Sequence, residues 1–278
     1  MPPGRRVGTV LWEIGVLAAT GALLAFLGLP LASLLLRVPP GELWARLAAP
    51  ASLTALRLSL VTSVCATLAV TALGLPAAYL LAMRRFPGKR VVEVILELPM
   101  VLPPTVAGVG LLLAFGRAGL AGRALGALGL SIPFTTLAVV LAQVFVASPF
   151  FVSAATAGLR EVDARYADAA ATLRATPGYA FRRVLLPLAL PSVLAGAAMT
   201  WARALGEFGA TIMFAGNLPG KTQTLPLAVY IGFQTDLQSA VALSVILLIL
   251  SFTVLLGLRL AHRPPRVPWV GRAAGDAR

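Results

Sequence analysis

Six apolar stretches, at about 11–36, 58–83, 91–115, 135–158, 188–214 and 237–259, are each long enough to cross a bilayer as a helix, which takes about 20 residues. In hydrocarbon a spanning segment must satisfy its own N–H and C=O groups, and a helix does so without help. The expected fold class is therefore all-α, a polytopic membrane protein with six transmembrane helices. Charged residues make up only 12% of the chain and hydrophobic ones 59%, against about 25% and about 45–50% in soluble domains. That leaves too little polar surface to coat a globule. The expected organisation is a short N-terminus (1–10), a single transmembrane domain (11–260) and a basic tail (261–278). The first stretch follows Arg5 and Arg6 but outruns the 7–15 residues of a signal h-region, so it reads as a retained helix. The third carries Pro99, Pro103 and Pro104 in "ELPMVLPPTVAG" and is expected to be broken there, or to begin as an interfacial piece.

Lysine and arginine set the orientation. With the N-terminus inside, the inner connections hold sixteen of them and the outer connections only Arg37, Arg46, Arg117, Arg123 and Lys221. Both termini are thus expected on the cytoplasmic side of the cell membrane. The net charge of +13 then reflects orientation and anionic inner-leaflet lipid rather than a nucleic-acid partner. The single cysteine, Cys65, excludes a disulfide within the chain, and the single histidine, His262, falls in the tail. No metal site is expected from such a set.

The longest inner connection, 159–187, is patterned. Val162, Tyr166, Ala169/Ala170 and Leu173 recur at helical spacing, and Thr176-Pro177 supplies an N-cap followed by proline at the first helical position. The segment reads as a helix, a sharp turn and a second helix feeding the fifth span. On pattern alone an amphipathic helix resting on the lipid interface fits equally well.

The run "DAAATLRATPGYAFRRVLLPLALP" resembles the cytoplasmic motif of ABC-importer membrane subunits: E-A-A, three residues, Gly, nine residues, I-x-L-P. Asp168, Ala169 and Ala170 stand at the E-A-A positions, Arg174 at the glycine, Val184 at the isoleucine, and Leu186 and Pro187 at L-P. Arg174 is the departure, since glycine there would permit a left-handed helix end. The resemblance implies that 159–187 carries the coupling helix, between helices 4 and 5, that docks onto an ATPase subunit. "ARALGEFGATIMFAGNLPGKTQTLPLAVY" closely resembles the fifth span and following loop of molybdate permeases. "LPMVLPPTVAG" and "GRAGLAGRAL" are similar to their third span and the loop after it.

What the resemblance implies is a permease subunit of a binding-protein-dependent importer, carrying molybdate and possibly tungstate by alternating access. A sulfate or thiosulfate permease is the nearest alternative. The implied partners are a second copy of the chain, two cytoplasmic ABC ATPases and an external solute-binding protein, all set in the lipid bilayer. ATP and Mg²⁺ belong to the ATPase, and this chain binds no cofactor.

Arg203 and Glu207 lie four residues apart within the fifth stretch and share a helix face. A lone charge at mid-bilayer costs at least about 2.5–3.5 kcal/mol, so the two are expected to pair, and to face the bundle or a cavity. Either the pair fixes helix packing, or it lies on the path and Arg203 offers the anion a weakened attraction. Gly206 and Gly209 beside them suit close helix approach, or rocking of two copies. Thr105 is a candidate for a broken helix end on the path. Glu93 and Glu97, near the inner end of the third span, are expected to be solvated or paired with nearby arginines. In the outer loop, "GNLPGKT" ends like a P-loop, but the required glycine falls on Ala215. It reads as a turn, with Asn217 and Lys221 available to the binding protein or the anion. No catalytic constellation appears, so the chain is not expected to be an enzyme. An intramembrane enzyme would have only Arg203 and Glu207 to work with. An ion-driven secondary transporter would need mid-membrane carboxylates and an internal repeat, and only one such carboxylate is found.

Overall fold

The computed structural model describes residues 3–261, which form helices joined by short connections. They are α1 (Pro3–Arg37), α2 (Pro40–Leu47), α3 (Pro50–Met83), α4 (Lys89–Val101), α5 (Pro104–Phe115), α6 (Gly122–Ala127), α7 (Thr136–Glu161) and α8 (Ala164–Thr172). There follow α9 (Pro177–Ala180), a π-helical turn (Phe181–Leu185), α10 (Leu186–Leu205), α11 (Gly209–Ala215), α12 (Leu225–Thr235) and α13 (Leu237–Ala261). The described chain is all-α. Beyond residue 261 the expected basic tail, with His262, lies outside the described residues.

Of the six expected spans, five appear as long apolar helices, and α4 with α5 forms the sixth as a pair bent by 116°. The bend falls at Leu102-Pro103, where consecutive prolines supply no N–H to continue the ladder. The fifth span departs from expectation. It stops at Leu205 and resumes as α11 at Gly209, so Glu207 sits in a break and not within one continuous helix. The second span starts at Pro50, eight residues earlier than expected, because proline fits the first helical position.

Lipid is as apolar as leucine, so hydrophobicity does not press these helices together; close van der Waals contact between small residues does. The centre is accordingly built on α3, α7 and α10, with Ala66, Ala78, Ala147, Ala155, Ala189 and Ala204 buried. Gly74 lies so near Phe151 that a Cβ would come within 2.7 Å of its ring, and a Cβ on Gly158 would overlap Ser192. α7 tolerates Pro149 because Ser148 Oγ donates to the Phe145 carbonyl at 3.2 Å, replacing the donor that proline lacks.

Side chains from early in the chain hold the opposite end. Ser59 Oγ on α3 accepts from Leu225 N at 2.7 Å and so caps α12. Arg46 on α2 reaches Asp236 and Ser239, each at 2.7 Å, where α12 meets α13. Asp236 is held below its ordinary carboxylate range by Ser239, whose hydroxyl and amide donate to it, and then by Arg46. α1 is the exception to all this packing. From Trp12 to Arg37 it has no buried residue, and Trp12 and Phe26 are almost three-quarters exposed.

Candidate functional site: a junction of broken helices and an exposed loop

The two broken spans meet at their breaks. A Cβ on Gly209, at the start of α11, would stand 2.7 Å from Pro104 Cβ and 3.3 Å from Thr105 N, at the start of α5. One turn further, a Cβ on Gly108 would stand 2.7 Å from the Ala210 carbonyl oxygen. Three small residues, Gly108, Gly209 and Ala210, thus let two half-helices approach backbone to backbone.

Arg203 and Glu207 close this junction from the α10 side. Arg203 Nη1 and Glu207 Oε2 are 2.7 Å apart, and Glu207 Oε1 accepts from Ala210 N at 2.8 Å. One carboxylate therefore neutralises the arginine and caps α11 at once, which is why the chain tolerates a carboxylate only 1% exposed. The arginine side chain keeps 28% exposure. Of the expected path residues, Thr105 and Gly209 are brought into contact and Arg203 pairs with Glu207. Gly206 is different: it is exposed, and a Cβ there would meet only the Ala202 carbonyl of its own helix, at 3.7 Å. Within this chain it packs against nothing.

At the other end of α7, the 159–187 segment forms the expected helix, turn and second helix. Asp163 caps α8, its Oδ1 accepting from Arg165 N at 2.9 Å while Oδ2 accepts from the Arg165 side chain. Those two interactions, the side-chain one first, hold the Asp163 carboxyl below its ordinary range. α8 ends at Leu173 in a Schellman turn, with Ala175 N bonded to Ala170 O and Arg174 N to Ala171 O. Arg174 has φ of 57° and takes the left-handed position that suits glycine. Thr176 Oγ1 then accepts from Tyr179 N, starting the next helix.

Asp168 and Ala169 are exposed and Ala170 is buried, so the alanines of the motif do not all face outward. Tyr166, Leu173 and Tyr179 are 53%, 83% and 60% exposed and border a shallow apolar recess with Ala169, Ala170 and Val184. The π-helical turn fixes this segment to the bundle. Phe181 packs edge-on against Tyr79 of α3 at 4.8 Å, and Leu185 is buried between Val184 and Leu186, which are half-buried. Pro187 lies exposed in the first turn of α10.

The 216–224 turn has no nucleotide geometry. Thr222, fully buried, accepts from Leu218 N through its Oγ1 at 2.8 Å, and the amides of residues 221–223 all bond the Leu218 carbonyl. Gly216, at φ 70° and ψ −160°, occupies a region essentially restricted to glycine. Lys221 is exposed and borders a recess with Arg117, whereas the Asn217 Oδ1 is enclosed without a hydrogen-bond partner.

Sequence reasoning missed Gly108 and Leu185. The spacing of Gly108 behind Pro103-Pro104 was the available signal for a close approach. It also missed α12, a mostly apolar helix whose 11 residues fall short of a span. Glu93 does pair with Arg160, at 2.7 Å. Among the described residues no three His, Cys, Asp or Glu side chains gather as metal ligands.

Comparison with known proteins adds four findings. Residues 71–267 match the family described as binding-protein-dependent transport system inner membrane component. The chain is 46% identical over 234 residues to the molybdenum transport system permease protein of Mycobacterium tuberculosis, covering 84% of this chain and 89% of that one. It is 32% identical over 231 residues to the sulfate transport system permease protein of Salmonella typhimurium, covering 82% and 83%. In fold it is similar to a chain of a bacterial alginate ABC transporter, solved in complex with an alginate pentasaccharide-bound periplasmic protein. That likeness has a TM-score of 0.69 at 15% identity and covers 90% of this chain and 92% of the other.

Proposed function

The chain belongs to the family of binding-protein-dependent transport system inner membrane components, and from that premise we propose that it is the membrane subunit of an ATP-driven importer of molybdate. The 46% identity to a molybdenum permease over most of both chains carries this reading of the substrate. Tungstate, of the same shape and charge, is a second cargo.

In this reading residues 11–260 form one permease domain with both termini in the cytoplasm. The recess between Tyr166 and Tyr179 receives an ATPase, and ATP and Mg²⁺ act there, in the partner. Asp168, Ala169, Ala170 and Arg174 form the contact helix and its end, while Val184, Leu186 and Pro187 transmit its movement into α10. A second copy of the chain covers the bare α1. An external binding protein delivers the anion near Lys221 and Asn217.

The path runs past the helix junction. Thr105 opens α5 there, and Arg203, already neutralised by Glu207, attracts an oxyanion without trapping it. Gly206 and Gly209 let the fifth spans of the two copies move. ATP-driven closure of the ATPases draws the 159–187 loops together and opens the path outward; hydrolysis resets it.

Proteoliposomes holding the chain, its ATPase and its binding protein test this. ATP-dependent molybdate uptake competed by tungstate is expected, and uptake competed only by sulfate would reassign the chain to sulfate transport. Ala170→Trp should abolish uptake and ATPase association while leaving the subunit inserted. Arg203→Gln should lower anion flux at normal expression, and unchanged flux would remove Arg203 from the path.

A further inference from the structure

Gln143, in the first half of α7, is 1% exposed, and its Oε1 and Nε2 are both enclosed without a hydrogen-bond partner. Among the described residues no other side chain carries two such atoms. An enclosed amide in that condition is costly, and an apolar side chain of similar size would avoid the cost.

Its place follows from the contacts of α7 with its neighbours. α10 runs antiparallel to α7: a Cβ on Gly158 would meet Ser192, one on Gly196 would stand 3.0 Å from Ala154 Cβ, and Thr200 donates to the Ala147 carbonyl at 3.4 Å. Continued by one turn, that register sets Gln143 level with residues 203–207, where α10 ends. Around the helix, Gln143 lies between two packed faces. Ala147 and Val140 pack with Ala204 of α10, while Val139 and Val146 pack with Ala210 and Phe214 of α11. The strip between them looks onto the break that separates α10 from α11. The same break holds a second idle hydroxyl. Thr211, four residues after Glu207, is fully buried, and its Oγ1 has no partner. Thr62 and Thr200, by contrast, donate to backbone carbonyls.

Two neutral donors thus share the break with a carboxylate that is bonded to the Ala210 amide and paired with Arg203. We propose that Gln143, with Thr211, is the alternate partner of Glu207. When an anion on the path draws Arg203 to itself, Gln143 Nε2 and Thr211 Oγ1 donate to the released carboxylate, and the Ala210 amide stays bonded. Three neutral donors then stabilise Glu207 in place of one arginine. The idle donors raise the free energy of the paired state, which offsets part of the ion pair and lets a passing anion open it. Gln143 does not touch the anion. It is a positioning residue that sets how readily Arg203 is released, and the exchange rests on the reading that the path runs past the junction.

The test uses the assembled transporter in proteoliposomes, with molybdate, tungstate and sulfate as cargo and saturating binding protein. Gln143→Leu should lower the maximal uptake rate about tenfold, and Thr211→Val about threefold. The solubilised Gln143→Leu transporter should unfold at the wild-type temperature or above it, because an enclosed amide without partners has been removed. In a Glu207→Gln background no carboxylate has to be released, so adding Gln143→Leu should change uptake by less than about twofold. Three results would each overturn the exchange while leaving the transport function standing. They are Gln143→Leu uptake within about twofold of wild type, an unfolding temperature lowered by more than about 2 °C, or the same loss from Gln143→Leu in both backgrounds. Wild-type uptake of none of the three anions would overturn the transport reading and the exchange together.

Discussion

The helix junction and the 159–187 loop are built in opposite ways. At the junction, glycine backbones approach their neighbours closely, a carboxylate is 1% exposed, and both oxygens of Glu207 have a fixed partner within the chain. In the loop, Tyr166, Leu173 and Tyr179 stand largely exposed, and α8 depends on its own caps. The first region is finished within this chain, while the second presents apolar side chains that this chain does not cover. Rigidity therefore belongs to the helix junction, and unspent apolar surface to the loop.

If that contrast holds, substitutions at the junction cost global stability and those in the loop do not. Glu207→Ala should have the largest effect, leaving Arg203 unpaired and the Ala210 amide uncapped, at about 3–5 kcal/mol in unfolding of the solubilised protein. A cost below about 1 kcal/mol, the level of an exposed pair, would erase the distinction. Gly108→Ala comes next, at about 1–3 kcal/mol, because the Ala210 carbonyl cannot move aside. Gly206→Ala, with no neighbour outside its own helix, should be close to neutral by the same measurement.

Arg174→Gly should act in the other direction. Relief of the left-handed backbone should stabilise the end of α8 by about 0.5–1 kcal/mol, read as slower amide exchange there, with global unfolding unchanged. The smallest effect concerns acid. Because the folded Asp163 carboxyl titrates below its ordinary value of 3.8, its capping contribution is complete above that value. Exchange protection of α8 should hold as pH falls to the ordinary range and decline only beneath it. Asp163→Ala should abolish that dependence.

The two breaks differed in how far they could be read from sequence. Pro99, Pro103 and Pro104 mark the first because a missing N–H is written in the residue itself. The second has no such mark: "ALGEFGATIMF" is free of proline, and α10 ends there as α5 and the Glu207 carboxylate take over the start of α11. The loop was legible because Thr176-Pro177 and the apolar spacing are local signals. Its anchoring by Leu185 and Phe181 was not, since it depends on Tyr79, a hundred residues away along the chain. α12 escaped for a related reason. Pro226 lies in its first turn, but the amide of Leu225 is capped by Ser59, far away along the chain.

That last bond also dictates an order of events. The partners of α12, Ser59 at its start and Arg46 at its end, are separated from it by 166 and 190 residues. A chain inserted from its N-terminus exposes those two side chains long before their acceptors and donors exist. α12 can settle only once the segments between it and those partners have been made, and because contacts of such long range form slowly, it closes last. Locking of α12 is thus a late, long-range closure: a chain truncated before residue 236 lacks the Asp236 end of its clasp.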